Sequence, residues 1–276
     1  MSVDASLLGQ ETQYPTHYAP EILFPIARAD ARQAYADVQG ITQGVDWWHV
    51  FEISWLDLDG MPQVAIGRLH IPATSSHLIE SKSLKLYFNS FNFERYDRAD
   101  FVATVEADLS KAANADVKIE LFDVDALTVD QPQGICLDQV KPNVIAFHPD
   151  RSLLALESGG EYSDAEQPTI EQHYYSHLLR SNCPVTNQPD WGTLFIRYQG
   201  KKPCEASLIA YIISYRQHNG FHEQCVEQIY ADLWTALQPE KLMVYAAYTR
   251  RGGLDINPCR VSDLSWMLTP VRLARQ

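Results

Sequence analysis

The chain has 276 residues, 46% of them hydrophobic and 21% charged, which suits one large or two ordinary globular domains and not a disordered segment. A formal charge of -13 disfavours broad binding to nucleic acid or anionic membrane, and no apolar run approaches the roughly 20 residues that span a bilayer. Five cysteines (Cys136, Cys183, Cys204, Cys225, Cys259) are an odd number with no C-x-x-C pair, which points to a reducing compartment and away from a disulfide framework or clustered zinc.

The start, Met1-Ser2-Val3-Asp4-Ala5-Ser6, lacks the basic residues and apolar core of a signal peptide, so a cytoplasmic protein is expected. Asp46 to Leu58, the turn Asp59-Gly60 and Pro62 to Ile71 predict a β-hairpin, rich in Trp, Val, Ile and Phe. Leu84, Tyr87, Phe88 and Phe91 recur at helical spacing and predict a helix over Ser83 to Glu94. A second helix is expected from an Asp97 cap to about Ala112, then a strand over Val117 to Val124.

The second half repeats this order. Gly192 to Tyr198 reads as a strand, Glu205 to Gln217 and His222 to Leu237 as helices, and Leu242 to Tyr248 and Asp255 to Val261 as strands. An ungapped shift of 124 positions carries Ser83 onto Ser207, Leu84 onto Leu208, Tyr87 onto Tyr211 and Ser90 onto Ser214. The same shift carries Ala107-Asp108-Leu109 onto Ala231-Asp232-Leu233. The fold class expected is therefore α+β, as two tandem β-β-α-α-β-β units, 1–159 and 160–276. The boundary falls at the linker-like Glu157-Ser158-Gly159-Gly160-Glu161.

Four segments carry possible chemistry. Glu80-Ser81-Lys82-Ser83-Leu84-Lys85 opens the first helix, where Ser81 or Ser83 could cap. Lys82 and Lys85 there could hold a phosphate, and Glu80 could accept two donors from a heterocycle edge. The same residues also read as an ordinary capped helix with solvated lysines. Ser181 to Trp191 is expected to be a stiff loop, because Pro184 and Pro189 fix φ and remove donors. It carries the thiol of Cys183 and the carboxyl of Asp190, a pairing that suits covalent catalysis. The plainer reading is a buried structural cysteine beside a loop aspartate.

Phe221-His222-Glu223 opens another helix and offers an imidazole for proton transfer, or simply a helix start. In Tyr248-Thr249-Arg250-Arg251-Gly252-Gly253-Leu254-Asp255, the Gly-Gly turn and paired arginines could grip phosphate or form a basic hairpin tip. No G-x-G-x-x-G follows a strand and no G-x-x-x-x-G-K-[ST] occurs, so any nicotinamide cofactor would bind on another fold.

Together these motifs resemble those of the NADPH-dependent 7-cyano-7-deazaguanine reductases, the nitrile reductases of queuosine biosynthesis, in their long tandem form. The resemblance rests on Glu80 to Tyr87, Cys183 to Trp191, Phe221-His222-Glu223 and Arg250 to Pro258. Leu8-Gly9, Tyr14, Tyr18 and Leu23-Phe24-Pro25-Ile26 look like the long form's lead-in. Cys259 departs from it, where an aromatic residue would follow Asn257-Pro258.

The resemblance implies tunnelling-fold units, each an antiparallel sheet with two helices on one face, associating through sheet edges into a homodimer or larger assembly. It implies Cys183 as nucleophile, Asp190 as proton donor and His222 as a second proton-handling group. Ile79, Glu80, Ser81, Phe221, His222 and Glu223 would bind the deazapurine, and Ser81, Lys82, Arg251 and Gly252 would bind NADPH. No metal, membrane or direct nucleic-acid partner is expected. Two other readings stay open: a cyclohydrolase-like zinc hydrolase on the same fold, and a non-catalytic purine-binding module.

Overall fold

A computed structural model describes residues 14–158, 167–270 and 272–276. The chain divides into two units. The first runs to Gln33 and takes in Val45–Val129 and Arg250–Ile256; the second takes Ala34–Gly44, Asp130–Thr249 and Asn257–Gln276. The expected boundary at Gly159-Gly160 and the lead-in residues Leu8-Gly9 lie outside the described residues.

The first unit opens with β1 (Pro25–Ala27) and a single helical turn, α1 (Ala29–Arg32). Then come β2 (Gly44–Leu56), β3 (Pro62–Pro72), β4 (His77–Ile79), α2 (Ser81–Asn89), α3 (Arg98–Ala113) and β5 (Lys118–Phe122). The β2–β3 hairpin turns where the Asp59-Gly60 signal places it, with Gly60 at φ 91. β3 lies between β2 and β5, antiparallel to both. Leu84, Tyr87, Phe88, Phe101, Val105 and Leu109 of α2 and α3 bury one apolar face on the strands.

α2 stops at Asn89, short of the expected Glu94. The Ser90 hydroxyl donates to the Tyr87 carbonyl at 2.6 Å and Ser90 N–H turns back to the same carbonyl, so the chain leaves the helix in tighter turns. α3 has the expected Asp97 cap, whose side chain accepts from Asp100 N–H at 2.8 Å.

The second unit has β6 (Ile135–Cys136), β7 (Ile170–Asn182), β8 (Pro189–Gly200), α4 (Glu205–Ser214), α5 (His222–Leu237), β9 (Lys241–Tyr248) and β10 (Leu254–Val261). β7, β8 and β9 pair antiparallel in that order, the Cys259–Val261 end of β10 pairs with β9, and β6 adds parallel to β7. α4 also ends early, the chain tightening into a 3-10 turn over Tyr215–Gln217. The sequence reading has no counterpart to β7. Its alternation is interrupted by a register shift between Ser176 and Leu179, which hides the period of two.

The internal repeat is written in hydrogen bonds. Tyr87 donates to Asp108 at 2.7 Å and Tyr211 to Asp232 at 2.6 Å. Ser83 donates to the Glu80 carbonyl and Ser207 to the Cys204 carbonyl, both at 2.7 Å. Ser90 and Ser214 each close on the tyrosine carbonyl three residues back. Both long helices end in a left-handed residue, Asn114 at φ 52 and Gln238 at φ 47. The first strands share a bulge too, between Val50 and Ile53 in β2 and between Ser176 and Leu179 in β7.

That bulge positions the chemistry. Before it, Tyr174 and Ser176 face the core; after it, Leu179 and Ser181 do. An extra residue in one strand exchanges its two faces. Continued alternation carries Cys183 to the core side, where an unbroken strand would have sent it to the opposite face.

Candidate active site

The expected rigid segment is shorter than Ser181 to Trp191. β7 runs through Asn182 and β8 begins at Pro189, leaving Cys183 to Gln188 as the turn. Proline is tolerated there because it stands first in its strand. Cys183 N–H donates to the Gln188 carbonyl at 2.9 Å and Asn187 N–H to the Cys183 carbonyl at 3.0 Å. Asn187 takes the left-handed φ of 53 that closes the turn.

The turn is tied to the lead-in of α5. Asn182 N–H donates to the His218 carbonyl at 2.8 Å, Gly220 N–H to the Asn182 carbonyl at 3.1 Å, and Asn219 Nδ2 to Asn187 Oδ1 at 3.2 Å. Gly220 leaves no room for a side chain, since a Cβ there would lie 2.9 Å from His218 Nε2 and 3.3 Å from Cys225 Sγ. These bonds hold Cys183 at a set place relative to His222, the first residue of α5.

Asp190 lies on the core face of β8, in one row with Gly192, Leu194, Ile196 and Tyr198. A carboxylate on that face must be matched, and His222 Nε2 lies 3.4 Å from its Oδ1. Among the described residues His222 Nδ1 is buried without a hydrogen-bond partner, while Nε2 faces the carboxylate. The two side chains can exchange a proton, and such pairs commonly sit further apart before substrate binds. The imidazole stacks on Tyr248, centroids 3.8 Å apart and planes 8° from parallel.

Glu223 is buried at the second helical position of α5, where the helix dipole favours its charge. Gln224 Oε1 accepts from the half-buried Phe221 N–H at 3.3 Å. Deeper in, burial pushes the Cys225 thiol up to about 12, with the charges of Asp190 and Glu223 acting in the same direction. Cys225 is thus an inert thiol one turn from the site.

In the first unit, Ile79 ends β4 and Glu80 caps α2 itself, correcting the expectation of a serine cap. Glu80 Oε1 accepts from Lys82 N–H at 2.6 Å and Oε2 from Ser83 N–H at 2.8 Å. Burial raises the Glu80 pKa, opposed by those two hydrogen bonds. The Ser81 side chain also hydrogen-bonds the Glu80 carboxylate. Arg251 and Leu254 close a hairpin whose centre, Gly252 at φ 61 and Gly253 at φ 84, admits little but glycine. A Cβ on Gly252 would lie 3.2 Å from Lys85 Nζ. Gly252 and Gly253 border a cavity of about 370 Å³ with Glu52, Lys85 and Asn89; Ser81 and Lys82 do not line it.

The second unit thus brings together Cys183, Asp190, Phe221, His222 and Glu223. The first unit groups Ile79, Glu80, Ser81 and Lys82 at one junction and Gly252 beside Lys85. Sequence reasoning missed the contact of Tyr248 with His222, although Tyr248 closes the row Leu242, Val244, Ala246, Tyr248 on the core face of β9. Among the described residues, no three His, Cys, Asp or Glu side chains converge as a metal site.

Comparison with known proteins bears on what such a site does. Residues 14–121 match the family model described as nitrile reductase, 7-cyano-7-deazaguanine-reductase N-term, and residues 189–264 match that of QueF-like protein. The NADPH-dependent 7-cyano-7-deazaguanine reductase of Acinetobacter baumannii (strain AYE) is 68% identical over the full length of both chains. That of Acinetobacter baylyi is 66% identical and that of Psychrobacter cryohalolentis 50%, again over the full length of both. Among solved structures, an archaeosine synthase QueF-Like in the apo form aligns with 35% of this chain and 95% of its own, at a TM-score of 0.31 and 16% identity.

Proposed function

The chain belongs to the QueF family of nitrile reductases, and on that premise we infer that it reduces 7-cyano-7-deazaguanine to 7-aminomethyl-7-deazaguanine with NADPH, on the route to queuosine. The observation that supports this reading best is the meeting of a thiol, a buried carboxylate and an imidazole at one end of one sheet face. The full-length relatives carry the substrate's identity.

A nitrile carbon is a weak acceptor of hydride. Addition of the Cys183 thiolate forms a C–S bond, breaks one C–N π bond and leaves the negative charge on nitrogen. Asp190 supplies the proton there, giving a neutral thioimidate, and His222 passes a proton to Asp190. NADPH, when bound, supplies one hydride in each of two rounds. Between them Cys183 leaves as thiolate, turning the tetrahedral adduct into an imine. In all, two hydrides and two protons, the one from Asp190 included, convert the nitrile to a primary amine.

Glu80, Glu223 and the Phe221 ring, with Ile79 and Ser81, would hold the deazapurine. A carboxylate accepting two N–H donors discriminates strongly against bases that lack them. Gly252 and Arg251, with Ser81 and Lys82, would hold NADPH. The fit rests on the glycine backbone beside Lys85, which offers N–H groups and a cation to a phosphate-bearing dinucleotide.

We also propose a cytoplasmic homodimer. An odd number of cysteines with no C-x-x-C pair supports a reducing compartment. Among the described residues β5 pairs on one side only, with β3, which offers its other edge to a second copy.

The test is intact mass after incubation with the nitrile and no NADPH. The expected result is a protein heavier by one whole nitrile, absent in Cys183→Ala although that variant still binds the nitrile. No adduct on the wild-type protein would overturn the mechanism.

A further inference from the structure

The backbone of Tyr248 is held by several hydrogen bonds. Its N–H donates to Asn257 Oδ1 at 3.0 Å. Gln276 Nε2 donates to that same oxygen at 2.8 Å and to the Tyr248 carbonyl at 3.2 Å. Gln276 is only 5% exposed and is itself fixed, its Oε1 accepting from Leu273 N–H at 2.9 Å and its N–H donating to the Leu273 carbonyl at 3.0 Å. The next residue, Thr249, donates its N–H to the Trp191 carbonyl at 2.8 Å, tying the strand end to the residue after Asp190. Across the sheet Tyr248 pairs with Gly192, where a Cβ would lie 3.2 Å from Tyr248 Cδ1. One face of the ring is therefore set by a residue that has no side chain.

The other face carries the His222 imidazole, in near-parallel contact. Aromatic pairs usually keep their centroids about 4.5–7 Å apart, further than in this parallel contact. A stack at this distance therefore needs both rings to be held in place. Its consequence is geometric, because the plane of the imidazole decides where Nε2 points. Among the described residues, no hydrogen bond to Nδ1 fixes the ring from its other side. The Tyr248 ring and the Asp190 carboxylate are two contacts that can orient it.

We propose that Tyr248 is the positioning residue for His222, and that Asn257 and Gln276 lock Tyr248 in place. The phenol hydroxyl is not what acts. It touches Ser181, between Tyr248 and Cys225, without well-formed hydrogen-bond geometry. The flat ring acts, as a platform that holds Nε2 toward Asp190. This rests on the proton-handling role given to His222.

Four variants and one double variant test it by steady-state kinetics, each with a thermal unfolding curve. Tyr248→Phe keeps the platform and is expected to stay within a few-fold of wild type. Tyr248→Leu removes it, and kcat should fall on the order of 100-fold, the scale of loss when a reacting group is misplaced by about 1 Å. The nitrile adduct should still form. Gln276→Ala should give a smaller loss of kcat in the same direction, with KM for NADPH unchanged. In His222→Gln, adding Tyr248→Leu should cost nothing further, since the ring it orients is already gone.

A purely structural Tyr248 would give the opposite: losses that multiply in the double variant, or a Tyr248→Leu enzyme with wild-type kcat. Either overturns the proposal while leaving His222 in its role. A His222→Gln enzyme with wild-type kcat would overturn the role of His222 and the proposal together. Should Tyr248→Leu fail to fold, Gln276→Ala alone and in His222→Gln decides by the same rule of non-additivity.

Discussion

Cys183 and Cys225 show how one residue type takes two characters a short distance apart. Cys225 lies in the apolar interior, where burial holds its thiol near 12 and so protonated at neutral pH. Cys183 closes a hairpin at the edge of that interior, beside a helix N-terminus and a carboxylate. In the native protein, iodoacetamide near neutral pH should leave Cys225 unmodified, and the nitrile should protect Cys183. Peptide mapping would check both, and labelled Cys225 in folded protein would contradict the assignment.

Glu80 adds a pH-dependent effect. Its folded pKa lies above the ordinary glutamate value because burial disfavours the charge. Its contribution to stability is thus fully present below that ordinary value and is lost as pH rises through the folded pKa. Glu80→Gln keeps one acceptor and leaves one helix N–H without its cap, at a cost of about 1 kcal/mol. The Tm gap between wild type and Glu80→Gln should widen as pH falls from neutrality toward the usual carboxyl range. A gap that narrows would show that burial does not control this carboxyl.

The bulge in β7 is the main determinant at the level of elements. It turns Ser181 and Cys183 toward the face that already carries Asp190 and Tyr248. Gly192 makes the matching allowance on β8. Gly192→Ala should destabilise the protein by about 1–3 kcal/mol, the usual range for overpacking a core, and should lower kcat by displacing Tyr248. Urea unfolding reads the first effect and kinetics the second; an Ala variant with unchanged Cm and kcat would contradict the close approach.

The helices were legible in the sequence because their apolar spacing is regular. His222–Leu237 has both its expected ends, and Asp97 caps where expected. β7 was not legible, since a bulge breaks the alternation on which strand reading depends. Glu80 as a cap was missed because a glutamate seldom fills that position, and two serines close by offered the commoner solution. Cys183, Asp190 and His222 could be named as candidate site residues from motif resemblance, but the placing of Cys183 and Asp190 depends on strand register. Asn257 and Gln276 carry no local signal, because their link to Tyr248 exists only through tertiary packing.

At the scale of the whole molecule, two copies of one unit have kept the same internal supports while their functional positions diverged. The Tyr87–Asp108 and Tyr211–Asp232 bonds are the shared support, and burial raises the pKa of both tyrosines. The divergence stands at the helix starts. Glu80 caps α2 with its own carboxylate, whereas Cys204 opens α4 with no side-chain cap. Asp97 and Phe221 open the two long helices in equally different ways. If the open edge of β5 is used for self-association, light scattering at micromolar concentration should give at least twice the mass of the 31.3 kDa chain. A monomer would contradict the proposed dimer and leave the chemistry untouched.

The measurement that tests the central claim most directly is NADPH oxidation by the purified protein with limiting 7-cyano-7-deazaguanine, the product identified by mass. Two NADPH consumed for each nitrile, with the primary amine as product, is the expected result. No consumption would contradict the claim, as would consumption of one equivalent that stops at an imine or the aldehyde formed from it.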